Sequence, residues 1–187
     1  MELDKIILGD NQFFGINHMS WEKSQERLEK FSTDESILSV LEDAVDVGIN
    51  AFMLNSNDRS KQICKKVIEN DKLKDLIFYP SIPYPHKYAN LVNEKGIISA
   101  VNSLLFSSKT TNSVISKALS GSKAYLKKDI LSLMKLLIDL EMENFENVNF
   151  QSIFLQNVIT DLILGLNMDS ILVDFVEYIK SKYNAEP

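Results

Sequence analysis

The chain has 187 residues, 45% of them hydrophobic and 25% charged, with a net charge of -6. That is enough apolar sequence for one domain with a full core, and the acidic balance argues against a main partner of nucleic acid, which calls for a basic stripe. A single cysteine, Cys64, excludes an intrachain disulfide, and no apolar run reaches the roughly 18 residues of a membrane span. With no signal peptide at its start, the chain is expected to be soluble and cytoplasmic, with neither membrane nor nucleic acid as partner.

Residues 5–8 read as a buried strand. The polar, mixed-charge stretch from Trp21 to Lys30 has helical spacing. Ser32-Thr33-Asp34-Glu35 has the form of a capping box, serine first and glutamate three residues on. It opens an amphipathic helix marked by Ile37, Leu38, Leu41, Ala44 and Val45, which Gly48 ends. Ile49 to Leu54 is a second strand. Asn55-Ser56-Asn57-Asp58-Arg59 then caps a helix over about 59–71, where Ile63 and Val67 make Cys64 a structural thiol rather than a nucleophile. A third strand covers 76–79 and stops at Pro80, Pro83 and Pro85, which forbid regular structure. Helices are expected near Tyr88 and Gly96, a loop over 107–113, and a long helical region over about 113–143 with a soft point at Ser120-Gly121-Ser122. Val148 to Leu155 is the fourth strand. Two helices close the chain, broken at Asn167 to Ser170, with Ile171, Leu172, Phe175, Val176 and Ile179 facing the core.

Short apolar strands alternating with amphipathic helices predict an α/β fold, with parallel strands joined by helical crossovers. Every strand is followed by a polar cluster. Asp10, Asn11, Gln12, Asn17 and His18 follow the first; Asn55, Asn57, Asp58 and Arg59 the second; Ser81, Tyr84, His86 and Lys87 the third; Gln156, Asn157 and Asp161 the fourth. In a parallel fold these clusters share one face, where ligands bind in barrels and open sheets alike. Helix capping explains Asn57 or Asp58, but not Gln12, His86 or Gln156.

His18 and His86 carry the side chains whose ordinary pKa suits proton transfer near neutrality. Lys87 offers a Schiff base or an anion anchor, and Arg59 at a helix start offers a second anchor. Asp10, Asn11, Gln12, Asn55, Asp58, Tyr84, Gln156 and Asn157 are the candidate substrate contacts. Two imidazoles with Asp10 and Asp58 also form a plausible divalent-metal set, although their spacing fits no ligand motif. There is no glycine-rich nucleotide fingerprint, no CxxC, no serine elbow and no HExxH, so the sequence names no cofactor.

Ile37-Leu38, then Leu41-Glu42-Asp43-Ala44-Val45-Asp46-Val47-Gly48-Ile49-Asn50-Ala51-Phe52, resembles the second-strand entry of the aldo/keto reductases, which are (β/α)₈ barrels. Leu8-Gly9 with Phe14-Gly15 is similar to their first strand. The resemblance implies the barrel. It does not carry the activity, because Leu54 and Asn55 stand where those reductases have a catalytic aspartate and a tyrosine follows. Asp10-Asn11-Gln12-Phe13-Phe14-Gly15-Ile16-Asn17-His18, Tyr84-Pro85-His86-Lys87-Tyr88-Ala89-Asn90 and Phe154-Leu155-Gln156-Asn157 resemble a family of uncharacterised bacterial barrel-like proteins, which adds fold and not chemistry.

The expectation is a single partial domain over 1–187, the N-terminal half of a TIM (β/α)₈ barrel. Tyr183 to Pro187 reads as the loop before a further strand, so a homodimer or a missing C-terminal half is expected. The expected function is an enzyme acting on a small polar, anionic metabolite by acid/base chemistry, as oxidoreductase or lyase. His18, His86 and Lys87 would be its catalytic residues. The alternative is a non-catalytic half-barrel that binds a partner chain.

Overall fold

The computed structural model describes residues 3–17, 19–84, 125–165, 167 and 169–187, with backbone alone for 125–133 and 162. The helices expected near Tyr88 and Gly96, the 107–113 loop and the Ser120–Ser122 soft point lie outside the described residues, as do His18, His86 and Lys87.

A parallel sheet forms the centre. Strand β1 (Leu8–Gly9) pairs with β2 (Ala51–Asn55), which pairs with β3 (Ile77–Ile82). On the far side of β3 lie two short pieces, β4 (Asn149–Phe150) and β5 (Phe154–Leu155), both parallel to it. The helices are α1 (Trp21–Lys30), α2 (Asp34–Asp46), α3 (Ser60–Glu69), α4 (Tyr125–Met142, continued by a 3₁₀ turn to Phe145), α5 (Asn157–Gly165) and α6 (Ser170–Tyr183). The chain is thus an α/β protein with parallel strands. No helix among the described residues is long and apolar enough to cross a membrane.

Alternation along the strands sorts the two sheet faces. Leu8, Phe52, Leu54, Phe78 and Ile82 point to the helices and join a core with Ile37, Leu41, Ile63, Val67, Ile138, Phe145 and Ile179. A row of edge-to-face rings, Phe31–Phe13–Phe52–Phe78–Phe145, runs through it with centroids 4.9 to 6.5 Å apart. Each such pair is worth about 0.5–1.5 kcal/mol beyond the area it buries. Cys64 is buried in this layer, and burial pushes its thiol up to about 12, which leaves it protonated and inert. The opposite face carries Gly9, Met53, Asn55, Tyr79, Ser81 and Phe154, by their register.

Gly48 ends α2 as expected. It has φ +87°, its N–H reaches the Val45 carbonyl, and the Ile49 N–H reaches that of Ala44, which is a Schellman closure. The expected capping box is displaced by one residue. Thr33, not Ser32, is the N-cap and accepts from the Ser36 N–H, while Glu35 is drawn away to Lys66 at 2.7 Å. The first strand is shorter than 5–8: Ile6 is exposed, and only Leu8 and Gly9 pair.

The third strand runs through Pro80 rather than stopping there. Phe78 and Ile82 turn their carbonyls towards the fourth strand position, where they accept from Gln151 and Gln156. Pro80 lies on the same side, so its missing N–H faces that neighbour. The neighbour has no ladder partner to lose at that point. Two residues of β3 (Tyr79, Pro80) lie opposite three (Gln151, Ser152, Ile153), a β-bulge that divides the expected 148–155 strand into β4 and β5. The bulge turns its backbone outward to the chain's last residues. Ser152 and Glu186 form a parallel bridge, with Ile153 N–H donating to the Glu186 carbonyl at 2.8 Å. Asn184, at φ +51°, closes α6 and sends the chain there.

Candidate functional site

The C-terminal ends of four strand pieces meet in one hydrogen-bonded chain. Asp10 follows β1 directly and is held by a turn in which Phe13 N–H donates to the Asp10 carbonyl at 2.9 Å. Phe13 plugs into the aromatic row, so the loop that carries Asp10 is anchored by its own core residue. Gly15, at φ +65°, lets this loop lie on α1. A Cβ there would fall 2.5 Å from Leu28 Cγ and 2.8 Å from the Ser24 carbonyl.

Asn55, the last residue of β2, donates twice to Asp10: its backbone N–H to Oδ2 at 2.8 Å and its side-chain Nδ2 to Oδ1 at 2.7 Å. Gln156, just beyond β5, donates its Nε2 to Asn55 Oδ1, to Ser81 Oγ at 3.0 Å and, at 3.4 Å, to the Ser81 carbonyl. Ser60, opening α3, donates its hydroxyl to the Asn55 carbonyl. Asp10, Asn55, Ser60 and Ser81 are all buried.

Burial pushes the Asp10 carboxyl up to about 6, against the pull of the two Asn55 donors, which favour the ionised form. Among the described residues no cation contributes to that shift. Tyr84 stands nearby. Burial raises its phenol first, and the Asp10 and Asp58 carboxylates raise it further. A buried carboxyl that titrates near neutrality beside amide donors can give and take a proton.

The other predicted residues are distributed around this chain. Asn11 and Gln12 are exposed on the same loop, and Gln12 Oε1 accepts from Arg27 of α1. Asn157 is exposed as the first residue of α5, and Asp58 is exposed in the turn before α3. Arg59 turns away from the strand ends. Its guanidinium donates to Asp34 Oδ1 at 2.7 and 3.1 Å and to the Phe31 carbonyl at 2.9 Å, and it lies over the Phe14 ring. It therefore fastens α3 to α2 and is already occupied by an internal carboxylate. Among the described residues no three His, Cys, Asp or Glu side chains come together as a metal site.

One functional candidate was not singled out from the sequence. Glu141 is fully buried and accepts from the Ser56 hydroxyl, directly after Asn55. Its signal was a carboxylate on the apolar stripe Met134, Ile138, Phe145, at the position a core residue would take.

No family model, curated protein or solved structure matches this chain.

Proposed function

We propose that the chain is the N-terminal half of a (β/α)₈-type barrel and that it binds a small polar metabolite at the C-terminal ends of its strands. The reading makes it an enzyme, with proton transfer of the kind oxidoreductases and lyases use. Asp10 is the proton-transfer group, and Asn55 and Gln156 orient it. The observation that carries the reading is the unbroken Asp10–Asn55–Gln156–Ser81 chain, because it gathers residues from four separate strand ends onto the face where parallel α/β folds bind ligands. In the sequence His18 follows β1, and His86 and Lys87 follow β3. In this reading they complete the acid/base set and the anion anchor, while Arg59 serves the fold.

A ligand-detected NMR screen of phosphorylated, carboxylated and polyhydroxylic metabolites tests it. A binder is expected with the wild-type chain and is lost in Asp10→Asn and His86→Ala variants that keep the wild-type melting temperature. Binding that survives both substitutions sinks the reading.

The second reading is a half-barrel that pairs with a partner chain. It is favoured by β1, which is two residues long and, among the described residues, pairs on one side only. Light scattering separates the two: a particle of twice the 21.3 kDa chain mass supports a pocket shared between copies.

A further inference from the structure

The amides of the strand-end chain have a fixed polarity. The Ser81 carbonyl belongs to the backbone of β3 and can only accept a hydrogen bond. It lies 3.4 Å from Gln156, so the NH₂ end of that amide, not its oxygen, must face it. The same NH₂ then meets Asn55, which must answer with its oxygen. With Oδ1 committed to Gln156, the Nδ2 of Asn55 is left facing Asp10, 2.7 Å from Oδ1. If either amide were turned round, two acceptors would stand face to face in a buried site, which costs the full desolvation of both. A backbone carbonyl of β3 thus dictates, through two side chains, that Asp10 receives a donor.

We propose that Gln156 is a positioning residue that acts on Asp10 through Asn55, locking the Asn55 amide so that its N–H and not its carbonyl faces the carboxylate. Gln156 does not touch Asp10; its effect is the orientation of the group that does. The inference draws its functional meaning from the reading of Asp10 as the proton-transfer group, but the relay exists or fails in the ligand-free protein. Among the described residues the titratable group shown beside Asp10 is Tyr84, whose phenol is pushed up and stays neutral, so burial is what disfavours the ionised carboxylate. The Asn55 donors are what oppose that tendency, so anything that loosens Asn55 shifts the Asp10 titration to higher pH.

The test is carbon-13 NMR titration of the Asp10 carboxyl, assigned by its disappearance in Asp10→Asn. Asn55→Ala is expected to raise the midpoint by about one pH unit. Gln156→Met, similar in size but unable to donate, is expected to raise it by about half as much, and to add nothing in the Asn55→Ala background. An unchanged midpoint in Gln156→Met overturns the proposal. So does an equal rise with and without Asn55, which would mean that Gln156 acts by packing alone. A second readout needs no substitution. In the wild-type protein the side-chain N–H signals of both Asn55 and Gln156 should move with the Asp10 midpoint, and a Gln156 amide blind to that titration also overturns the relay. Loss of metabolite binding in Asp10→Asn is measured separately, so the functional reading can fall while the relay stands.

Discussion

Two buried carboxylates take their partners from the same short connection, Asp10 from Asn55 and Asp34 from Arg59, and behave in opposite ways. Asp10 is 2% exposed and Asp34 is 9% exposed, so burial acts on both. Asp10 meets neutral amide donors, and its carboxyl rises to about 6. At Asp34 burial also pushes upward, but Arg59 and Lys66 outweigh it and hold the carboxyl below its ordinary range. The difference lies in the partner. Paired with cations, a buried carboxylate is a permanent charge that fastens two helices. Paired with amides, it keeps a proton within reach of neutral pH, as a site residue must and a structural latch should not.

The largest way to break the comparison is to remove the cation. Arg59→Ala leaves Asp34 with Lys66 alone and the Phe31 carbonyl without its donor, and is expected to cost about 3 kcal/mol in urea denaturation at pH 7. Acid should narrow that loss, since a carboxyl held low contributes stability that disappears as pH falls through its folded pKa. Asp10 has the opposite sign. Its folded pKa is raised, so its contribution is complete below about pH 4 and is lost as pH climbs through about 6. Asp10→Asn should therefore gain about 2 kcal/mol on the wild type between pH 4 and pH 7, read from paired denaturation curves. A gap that stays constant with pH would mean that Asp10 titrates as an ordinary carboxylate.

Gly15→Ala tests the support of the Asp10 loop without touching the latch. Its positive φ and the closeness of Leu28 and Ser24 predict a loss of about 1.5 kcal/mol, with faster hydrogen exchange confined to the 10–16 loop and α1. Thr33→Ala, which removes the α2 cap beside Asp34, should cost about 1 kcal/mol in thermal unfolding and leave the Asp10 titration unmoved.

What the sequence revealed follows the range of the forces involved. The Gly48 stop, the α3 stripe and the alternation of strand and helix are written in near neighbours, and they were legible. So was the clustering of Asp10, Asn55 and Gln156 after strands, because parallel topology makes it general. The Arg59–Asp34 pair joins residues 25 apart across two helices, and no local pattern announces it. Arg59 read as an anion anchor because its helix-start position is visible in the sequence, whereas the carboxylate that takes it is not. Pro80 read as a terminator because the rule against proline in strands is local. The exemption depends on a neighbour some seventy residues later whose backbone curls away at that point.

That same curl decides which amino acid the strand presents. Before it, the even-numbered Phe150 faces the helices; after it, the odd-numbered Leu155 does, paired with Ile82. One additional residue has reversed the strand's odd–even reading frame, and Gln156 emerges beside Asn55 and Ser81 because of it. Were the strand straight with no residue lost, Leu155 would stand where Gln156 now does, an aliphatic side chain in place of an amide; deleting any one of Gln151, Ser152 or Ile153 instead removes the bulge and leaves Gln156 beside Asn55 and Ser81.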